Sequence, residues 1–401
     1  MNDWHNIKAE DFIDFNPREH LPQGTTAKKV SMEKLQPFSR SIASYDIASF
    51  SGGTKFRNGD TIMARITPCL ENGKTAQVNC LEDNEVGFGS TEFIVMRAKP
   101  SISDSDFIYY LATSPFFRNI AIQSMVGSSG RQRVQQSVLN ATELFVPPLS
   151  EQIEIGRTLR SLDDKIENNT KINHHLEQMA QAIFKSWFVD FEPFGGTMPS
   201  GWREGTISDL GDVIGGSTPS KAKPEYYTKH GIAWITPKDL SINKSKFIEH
   251  GMDDITDLGL HNSSAKSMPR GTVLFSSRAP IGYIAVARGP VCTNQGFKSV
   301  VPKTNIGTAY IYYFLIENLE YIENMASGST FKEISGSIMK GIPAIIPTDD
   351  ILQRFQDKCT PIFEQQELLE AENVRLAELR DTLLPRLMSG ELSVADLGDG
   401  K

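Results

Sequence analysis

The chain has 401 residues, of which 39% are hydrophobic and 22% charged, and its formal net charge is −8 at pH 7. This length predicts two or three domains with cores of ordinary size. No apolar run is long enough to cross a bilayer and the N-terminus lacks a signal-peptide pattern, which excludes a membrane protein and favours the cytoplasm. The four cysteines form no C-x-x-C pair, so neither a metal site nor a disulfide framework is expected.

The acidic excess is concentrated in two segments of the chain. The net charge is −3 over residues 151–192 and −6 over residues 348–401, whereas residues 1–150 and 193–347 carry −1 and +2. The two nearly neutral segments can therefore present local basic patches. The charge of the whole chain neither supports nor excludes a nucleic-acid partner.

Residues 1–147 predict a first globular domain of the α+β class. Short alternating strands are separated by turns rich in Gly, Pro, Asn and Ser, a pattern typical of mixed α/β structure. An aromatic helix is predicted over Phe107–Gln123. A short strand that ends in prolines, beginning at Glu143, closes the domain.

A long helix is predicted over most of residues 148–192, from about Ser150 to Asp190. Apolar residues recur at alternating steps of four and three, which is the spacing of a coiled-coil seam. Two asparagines interrupt the seam and would fix its register at some cost in stability. The predicted seam residues of this helix are Leu159, Leu162, Ile166, Asn169, Asn173, Leu176 and Ile183.

Residues 193–347 repeat the pattern of the first domain. The segment FIYYLATSPFFRNIAIQSMVGSSGRQ from Phe107 parallels YIYYFLIENLEYIENMASGSTFKE from Tyr310, and FRNGDTIMARI from Phe56 parallels MPRGTVLFSSR from Met268. A second aromatic helix is predicted over Ala309–Met325. Matching order and spacing favour a tandem duplication with an internal pseudo-twofold arrangement over two unrelated domains with chance similarity.

Residues 348–401 predict a second long helix, from about Asp349 to Met388, followed by a short tail. Pro361 and Pro385 are expected to bend or interrupt it. We expect the two long helices to form one antiparallel, coiled-coil-like pair, and the alternative is that each packs on its own domain. The seam residues predicted here are Leu369, Leu376, Leu379 and Leu383.

No catalytic motif is found in the sequence. The segment ENGKT at Glu71–Thr75 lacks the first glycine of a phosphate-binding loop, because Pro68 stands in its place. Dinucleotide-binding, nucleophile-elbow and zinc-protease motifs are absent as well, so no catalytic residue is assigned. Two alternatives stay open: a self-contained DNA methyltransferase or nuclease remnant, and a scaffold whose helices join other proteins without DNA.

The chain resembles the specificity (S) subunits of type I restriction–modification systems over nearly all of its length. The resemblance is carried by the segment from Met198 to Leu240, by the central helical region from Phe145, and by LLPRLMSGEL from Leu383. It implies two target recognition domains separated by two long helices. Each domain would read one half of a split double-stranded DNA target across a non-specific gap that the helices set.

The resemblance also implies partner subunits that carry the chemistry. Two methyltransferase (M) subunits would methylate adenine N6 with S-adenosylmethionine, and restriction (R) subunits would use ATP and Mg to cleave unmethylated DNA. This chain itself would bind none of these cofactors, and no membrane partner is expected.

Loops rich in Arg, Lys, Asn, Gln, Ser and Thr are the candidates for reading DNA, because these side chains match base edges and phosphates. An ordinary solvated loop position is the alternative for any one of them. Similar placement in the two copies predicts that Arg65 and Arg278 are equivalent. In the first domain the candidates are Lys55, Arg65, Thr67, Ser128, Arg131 and Arg133. In the second domain they are Ser217, Lys221, Lys223, Lys238, Ser276, Arg278, Asn294 and Gln295.

Overall fold

The structure is a computed structural model that describes residues 3–128, 130–328 and 332–398. The chain divides into two compact units. The first unit contains the residues up to Asn168 and those from Glu372 onward, and the second unit is Asn169–Ala371. Each unit therefore contains one part of each of the two long helices.

The first unit is built on two four-stranded sheets, in the orders β2-β9-β6-β7 and β4-β3-β8-β5, and on the antiparallel pair β1-β10. Strands β1 to β10 are His5–Lys8, Ile13–Phe15, Thr26–Val30, Asp46–Ser49, Lys55–Phe56, Thr61–Ala64, Thr75–Gln77, Gly87–Gly89, Phe93–Ala98 and Glu143–Val146. Helices α1 to α5 are Ala9–Phe12, Ser105–Thr113, Pro115–Gln123, Gln136–Ala141 and Leu149–Phe188. Met32–Lys34 forms a 3-10 turn.

The second unit has a five-stranded sheet, β12-β20-β17-β18-β15, a four-stranded sheet, β13-β16-β14-β19, and the pair β11-β21. Strands β11 to β21 are Arg203–Thr206, Gly211–Gly215, Tyr227–Thr228, Ile232–Ile235, Phe247–Ile248, Asp254–Ile255, Val273–Ser277, Ile281–Ala287, Val291–Thr293, Lys298–Pro302 and Pro343–Ile346. Helices α6 to α11 are Ile207–Leu210, Pro237–Ile242, Asp257–His261, Thr308–Glu317, Leu319–Asn324 and Gly336–Lys340. Glu192–Phe194 and Pro224–Tyr226 are 3-10 turns.

The two units repeat one order of elements, so the expected α+β class and internal duplication are confirmed. Strands β1, β2, β6, β9 and β10 correspond to β11, β12, β17, β20 and β21, and α2 to α4 correspond to α9 to α11. Each unit contains a corresponding parallel pair, β3 with β8 and β14 with β19, and the second unit has a further parallel pair, β15 with β18. Because the carboxyl ends of parallel strands meet at one edge, each unit collects several loops at one place.

Each aromatic helix is the centre of its unit's core. Helix α2 buries Phe107, Ile108, Tyr109 and Tyr110, and α9 buries every residue of Ala309–Leu315. Both cores continue onto the long helices, since residues of α5 and α12 belong to each of the two clusters.

The prediction of one continuous aromatic helix in each unit was wrong. In the first unit α2 ends before Ser114, whose backbone is extended and whose hydroxyl accepts a hydrogen bond from the Phe117 N–H. Pro115 then begins α3, because proline disfavours a helical conformation in the residue before it and suits the first position of a new helix. In the second unit the break falls at Asn318.

The long helix α12 covers Asp349–Met388, and the short helix α13 covers Val394–Gly398. Helix α12 runs through Pro361 and Pro385 without a break, so the predicted interruption was wrong. A proline inside a helix costs about 3 kcal/mol. Here Cys359 and Phe363, which flank the first proline, are buried in the core, and their packing offsets that cost.

Within each unit the parts of α5 and α12 run antiparallel, as expected. In the first unit Asp163 contacts Arg380 and Lys165 contacts Glu372. Residue numbers that increase along α5 thus face numbers that decrease along α12, which is the antiparallel direction. In the second unit the Gln366 amide donates to Glu177 at 3.0 Å. None of the helices in the described part of the chain is long and apolar enough to cross a membrane.

Candidate nucleic-acid interface

A cleft of about 520 Å³ opens in the second unit where strands β14, β17 and β19 end. Three hydrogen bonds hold these ends together: Asn294 N–H to the Ile235 carbonyl at 3.0 Å, Ser277 N–H to the Gly296 carbonyl at 2.7 Å, and Ser217 N–H to the Thr293 carbonyl at 2.9 Å. The loops after the strands are therefore fixed in place by the sheets.

The loop after β14 is held by a capping box. The Thr236 hydroxyl and backbone N–H both contact the Asp239 carboxylate, at 2.6 and 2.7 Å, which satisfies donors at the start of α7. Asp239 also accepts from the Met252 N–H at 2.8 Å. Although this carboxylate lines the cleft, its acceptors are thus used by the protein.

The loop after β12 reaches the cleft through a glycine. A Cβ atom at Gly216 would lie 2.0 Å from the Asn294 carbonyl oxygen, so only glycine permits this approach. The next residue, Ser217, accepts a hydrogen bond from Trp234 Nε1 at 3.0 Å through its carbonyl. Thr218, Trp234 and Thr236 also line the cleft, and of these three Trp234 lies outside the polar loops that the sequence indicates.

Five of the eight residues predicted in the second domain line this cleft. They are Lys221, Lys238, Arg278, Asn294 and Gln295. The two lysines are exposed and form no ion pair with any residue that the structure describes. Arg278 is 37% exposed in its side chain and lies 3.5 Å from Glu333.

Three residues predicted in the second domain, Ser217, Lys223 and Ser276, are not among the residues that line the cleft. Lys223 is exposed and donates to the Tyr226 hydroxyl at 3.0 Å. Ser276 was predicted to face DNA, and this was wrong. It is fully buried, and its hydroxyl donates to the Pro280 carbonyl and accepts from the Tyr283 N–H, so it shapes the β17–β18 turn.

The amide side chains in the cleft are partly committed. The Asn294 Oδ1 accepts from the Gly296 N–H at 2.8 Å, which leaves the Nδ2 atom as the group able to donate to a base. Gln295 Oε1 accepts from the Thr218 hydroxyl. The Asn294 Oδ1 has a second lone pair, so in a bidentate contact to adenine this oxygen would accept from both the Gly296 N–H and the base.

In the first unit, strands β3, β6 and β8 end at the corresponding place. Arg133 is exposed and pairs with Glu92 at 2.6 Å, and this hydrogen bond holds the pKa of Glu92 below its ordinary value. Arg65 lies 4.0 Å from the same carboxylate. The Thr67 hydroxyl donates to Glu71 at 3.0 Å.

The remaining residues predicted in the first unit have different surroundings. Ser128 and Arg131 are exposed, on a loop that includes position 129, which is outside the described residues. Lys55 donates to the Glu19 carbonyl at 3.0 Å and lies over the Phe50 ring, so it stabilises the β5 edge.

The predicted equivalence of Arg65 and Arg278 was wrong by one residue. Arg65 N–H donates to the Glu92 carbonyl, as Ser277 N–H donates to Gly296. Ile66 bridges Arg133, as Arg278 bridges Glu333. Ile66 is therefore the counterpart of Arg278. Since side chains alternate along a strand, this shift of one residue places Arg65 on the opposite face from Arg278.

The same register identifies two further residues of the first unit, which were not predicted from the sequence. Ser90 accepts from the Glu92 N–H at 3.1 Å through its hydroxyl, as Asn294 does from Gly296. Ser90 and Thr91 are thus the counterparts of Asn294 and Gln295. Aligning the two strands β9 and β20 on Phe93 and Phe297 would have found them.

Most predicted seam residues are buried or half-buried within their units. Leu159 and Leu383 lie in the core of the first unit, and Leu162 packs against it. Leu369 is buried in the second unit, where Ile183 packs on the core. Among the others, Asn169 is buried, and Ile166, Asn173, Leu176 and Leu376 are half-buried.

Leu379 was wrongly assigned to the seam. Its side chain is 46% exposed, whereas Arg380 and Leu383 face the unit. The inward position at this turn is occupied by Arg380, a charged residue that an apolar pattern passes over, and the pattern meets the inward face again at Leu383.

Each unit ties its aromatic helix to the long helices through buried charges. In the first unit the Tyr110 hydroxyl donates to Asp163 at 2.6 Å, and Arg380 pairs with the same carboxylate at 2.6 Å. In the second unit the Lys246 ammonium contacts Tyr313, Gln366 and Glu177 at 3.2, 2.9 and 2.7 Å. We call these sets the first and second ionic clamps.

Two segments of the chain, residues 1–178 and 199–378, match the family described as the type I restriction modification DNA specificity domain. The HindI specificity subunit of a type I restriction enzyme, from Haemophilus influenzae, is 29% identical over 84% of this chain and 87% of its own length. The MjaIX specificity subunit from Methanocaldococcus jannaschii is 38% identical over 46% of this chain and 45% of its own length.

A solved structure shares the fold. The S subunit of a type I restriction–modification system from M. genitalium matches with a TM-score of 0.60, over 96% of both chains and with 16% identity. The family match covers both halves of the duplication and most of the chain. The chain therefore belongs to the specificity-subunit (HsdS) family of type I restriction–modification systems, in which it acts as the subunit for DNA specificity.

Proposed function

We propose that this chain reads a split double-stranded DNA target, with one half-site for each unit. The observation that carries this proposal is the cleft at the ends of β14, β17 and β19, which collects Lys221, Lys238, Arg278, Asn294 and Gln295. Lysine and arginine suit phosphates and guanine, and amides suit adenine. The first unit presents Arg133, Ser90 and Thr91 at the corresponding strand ends, which supports a second reading site.

The proposal assigns the chemistry to partner subunits. Two methyltransferase (M) subunits would dock on the chain and methylate adenine N6 with S-adenosylmethionine, each receiving an adenine extruded from the duplex. Restriction (R) subunits would use ATP and Mg to cleave DNA. The assembly would work in the cytoplasm, where this chain contributes recognition only. The curated relatives, named as specificity subunits of type I restriction enzymes, support this division.

The experiment that tests the proposal is single-molecule sequencing of adenine methylation in cells that carry this chain with its neighbouring methyltransferase. Cells that lack only this chain are the control. We expect a split motif with methylated adenines in both halves, which disappears in the control. Methylation that is unchanged without this chain would contradict the proposal, and so would binding of S-adenosylmethionine by the purified chain alone.

We also propose that the long helices set the gap between the half-sites. One heptad inserted between Asn168 and Asn169 and another between Ala371 and Glu372 would keep the seam and add about 10 Å of helix. We expect a gap longer by up to about three base pairs, at about 3.4 Å per base pair, with unchanged half-sites. Altered half-site bases would contradict a spacing role.

A further inference from the structure

At the rim of the cleft in the second unit, the arginine expected to read DNA, Arg278, forms an ion pair with Glu333. The Glu333 carboxylate lies 3.5 Å from Arg278 Nη1 and 3.4 Å from Lys298 Nζ. Backbone bridges hold Glu333 opposite both Arg278 and Ser327. One carboxylate therefore neutralises part of the charge of two cations beside the cleft.

This pair is open enough to exchange partners. The side chains of Arg278 and Glu333 are 37% and 38% exposed, and ion pairs at such sites contribute little to folding because water and salt screen them. A DNA acceptor can thus replace the carboxylate without unfolding the unit. Arginine in particular gains from a partner with two acceptors, such as the O6 and N7 atoms of guanine.

The first unit has an ion pair at the same place with the two residue types exchanged. Arg133 occupies the position of Glu333, and it pairs with Glu92, which follows β8. In the second unit the position of Glu92 is Gly296, and the cation comes from Arg278 instead. The two copies have diverged in which loop supplies each charge, yet both retain an arginine bound to a carboxylate at the strand ends.

We propose that Glu333 is a specificity-determining residue that competes with DNA for Arg278, and that Glu92 does the same for Arg133. This proposal rests on the proposed function. The carboxylate withholds the arginine from isolated phosphates, which offer it no better partner, and yields it to a half-site whose base edge accepts two hydrogen bonds. Binding to non-cognate DNA is thereby suppressed more than binding to the target.

The test uses the assembled complex of this chain with its methyltransferase subunits and a pool of random-sequence duplexes of about 40 base pairs. Bound DNA is sequenced, and the bound fraction is measured as the salt concentration rises. The variants are Glu333→Gln and Glu92→Gln. The matched control is Glu320→Gln, which removes the same charge from an exposed position in the second unit that has no ion pair among the described residues.

We expect Glu333→Gln to raise the bound fraction of the pool, by up to about tenfold in affinity at 0.1 M salt, and to steepen the dependence of log affinity on log salt by about 0.9. Sequence enrichment should weaken in one half-site only. Glu92→Gln should weaken the other half-site. Glu333→Asp keeps the charge on a shorter side chain and should fall between Glu333→Gln and the unaltered complex.

Glu333→Gln behaving like Glu320→Gln would overturn the proposal. Weaker binding to the selected target would overturn it as well, because the carboxylate would then contact DNA itself. An unaltered complex that enriches no sequence would reject the proposed function together with this inference. Enrichment by the unaltered complex with no effect of Glu333→Gln or Glu92→Gln would reject this inference alone.

Discussion

The two ionic clamps hold equivalent tyrosines by different means. In the first unit, burial and the Asp163 carboxylate raise the pKa of Tyr110, so its hydroxyl stays protonated and donates. In the second unit the Tyr313 hydroxyl accepts a hydrogen bond from Lys246. The duplication has preserved a polar anchor between the aromatic helix and the long helices, with a carboxylate beside the tyrosine in both units and a lysine that donates to it in the second.

The clamps also differ in the cost of their charges. Arg380 and Asp163 form a pair with both side chains largely buried, at 14% and 8% exposure. Lys246 is more deeply buried than its partner Glu177, at 6% against 28%, and burial lowers its pKa to about 8. The first clamp is therefore a closed ion pair, and the second is a lysine whose charge is only partly compensated.

The largest effect is expected from breaking the closed pair. Arg380→Ala leaves Asp163 buried without its cation, and removal of one member of a buried pair typically costs about 3–5 kcal/mol. We expect the free energy of opening of the first unit to fall by that amount, measured by hydrogen exchange of α2 with mass spectrometry. Protection of α9 in the second unit should change little.

Arg386→Ala is the matched control for this change. Arg386 lies on the same helix and pairs with Glu391, but the two side chains are 44% and 65% exposed. Such pairs contribute about 0–1 kcal/mol. If both variants lost equally little protection, the first clamp would not stabilise the unit.

The second clamp predicts a dependence of stability on pH. The folded pKa of Lys246, about 8, lies below its ordinary value of 10.5, so between these values the unfolded chain binds a proton that the folded chain does not. Stability contributed by this group therefore rises with pH across that window and is constant below it. Glu177, Glu370, Cys359, Tyr312 and Tyr313 are the titratable groups that face it.

Lys246→Met removes this dependence. We expect the difference in unfolding free energy, unaltered protein minus variant, to increase by up to about 3 kcal/mol from pH 8 to pH 10.5. Urea unfolding followed by tryptophan fluorescence measures it, because Trp187, Trp202 and Trp234 all lie in the second unit. Lys244→Met, at an exposed position two residues away, should show no such trend, and an equal trend in both would contradict the assignment.

The parts of this structure that the sequence predicted are those with a local signal. The duplication follows from two aromatic helices in matching order, and the long helices follow from their heptads. The clamps were missed because Arg380 and Asp163 are charged residues that a helical pattern assigns to solvent, and only tertiary contacts bury them. Ser276 was misjudged for the same reason, since its hydroxyl serves the turn.

The candidate interface divides in the same way. Residue types in loops predicted five side chains of the second cleft, because loops after strand ends carry polar groups in any such sheet. The residue-by-residue alignment of the two units, which decides which side chains correspond, was not predicted from the sequence. Ile66, and not Arg65, is the residue of the first unit that corresponds to Arg278. The ion pair of the first unit is formed instead by Arg133 and Glu92.

Arg278→Ala tests whether the two interfaces act separately. We expect binding of the assembled complex to its target to weaken by about 1–3 kcal/mol, with relaxed sequence preference in one half-site only. Arg133→Ala should relax the other half-site. Selection from a random-sequence duplex pool measures both, and either variant affecting both halves equally would show that the units do not read DNA independently.

The smallest effect is expected from a substitution on the exposed face of the second long helix, compared with one in its buried seam. Leu379 is 46% exposed, so Leu379→Ala should change the unfolding free energy of the first unit by about 0.5 kcal/mol or less. Leu383 is 8% exposed and belongs to the core, so Leu383→Ala should cost about 2–5 kcal/mol. Hydrogen exchange of α2 measures both, and a large loss in Leu379→Ala alone would mean that the heptad spacing had placed the inward face correctly. Equal small losses in both variants would instead mean that this end of the helix contributes little to the stability of the first unit. Truncating Leu383 would then leave no cavity large enough to lower the unfolding free energy.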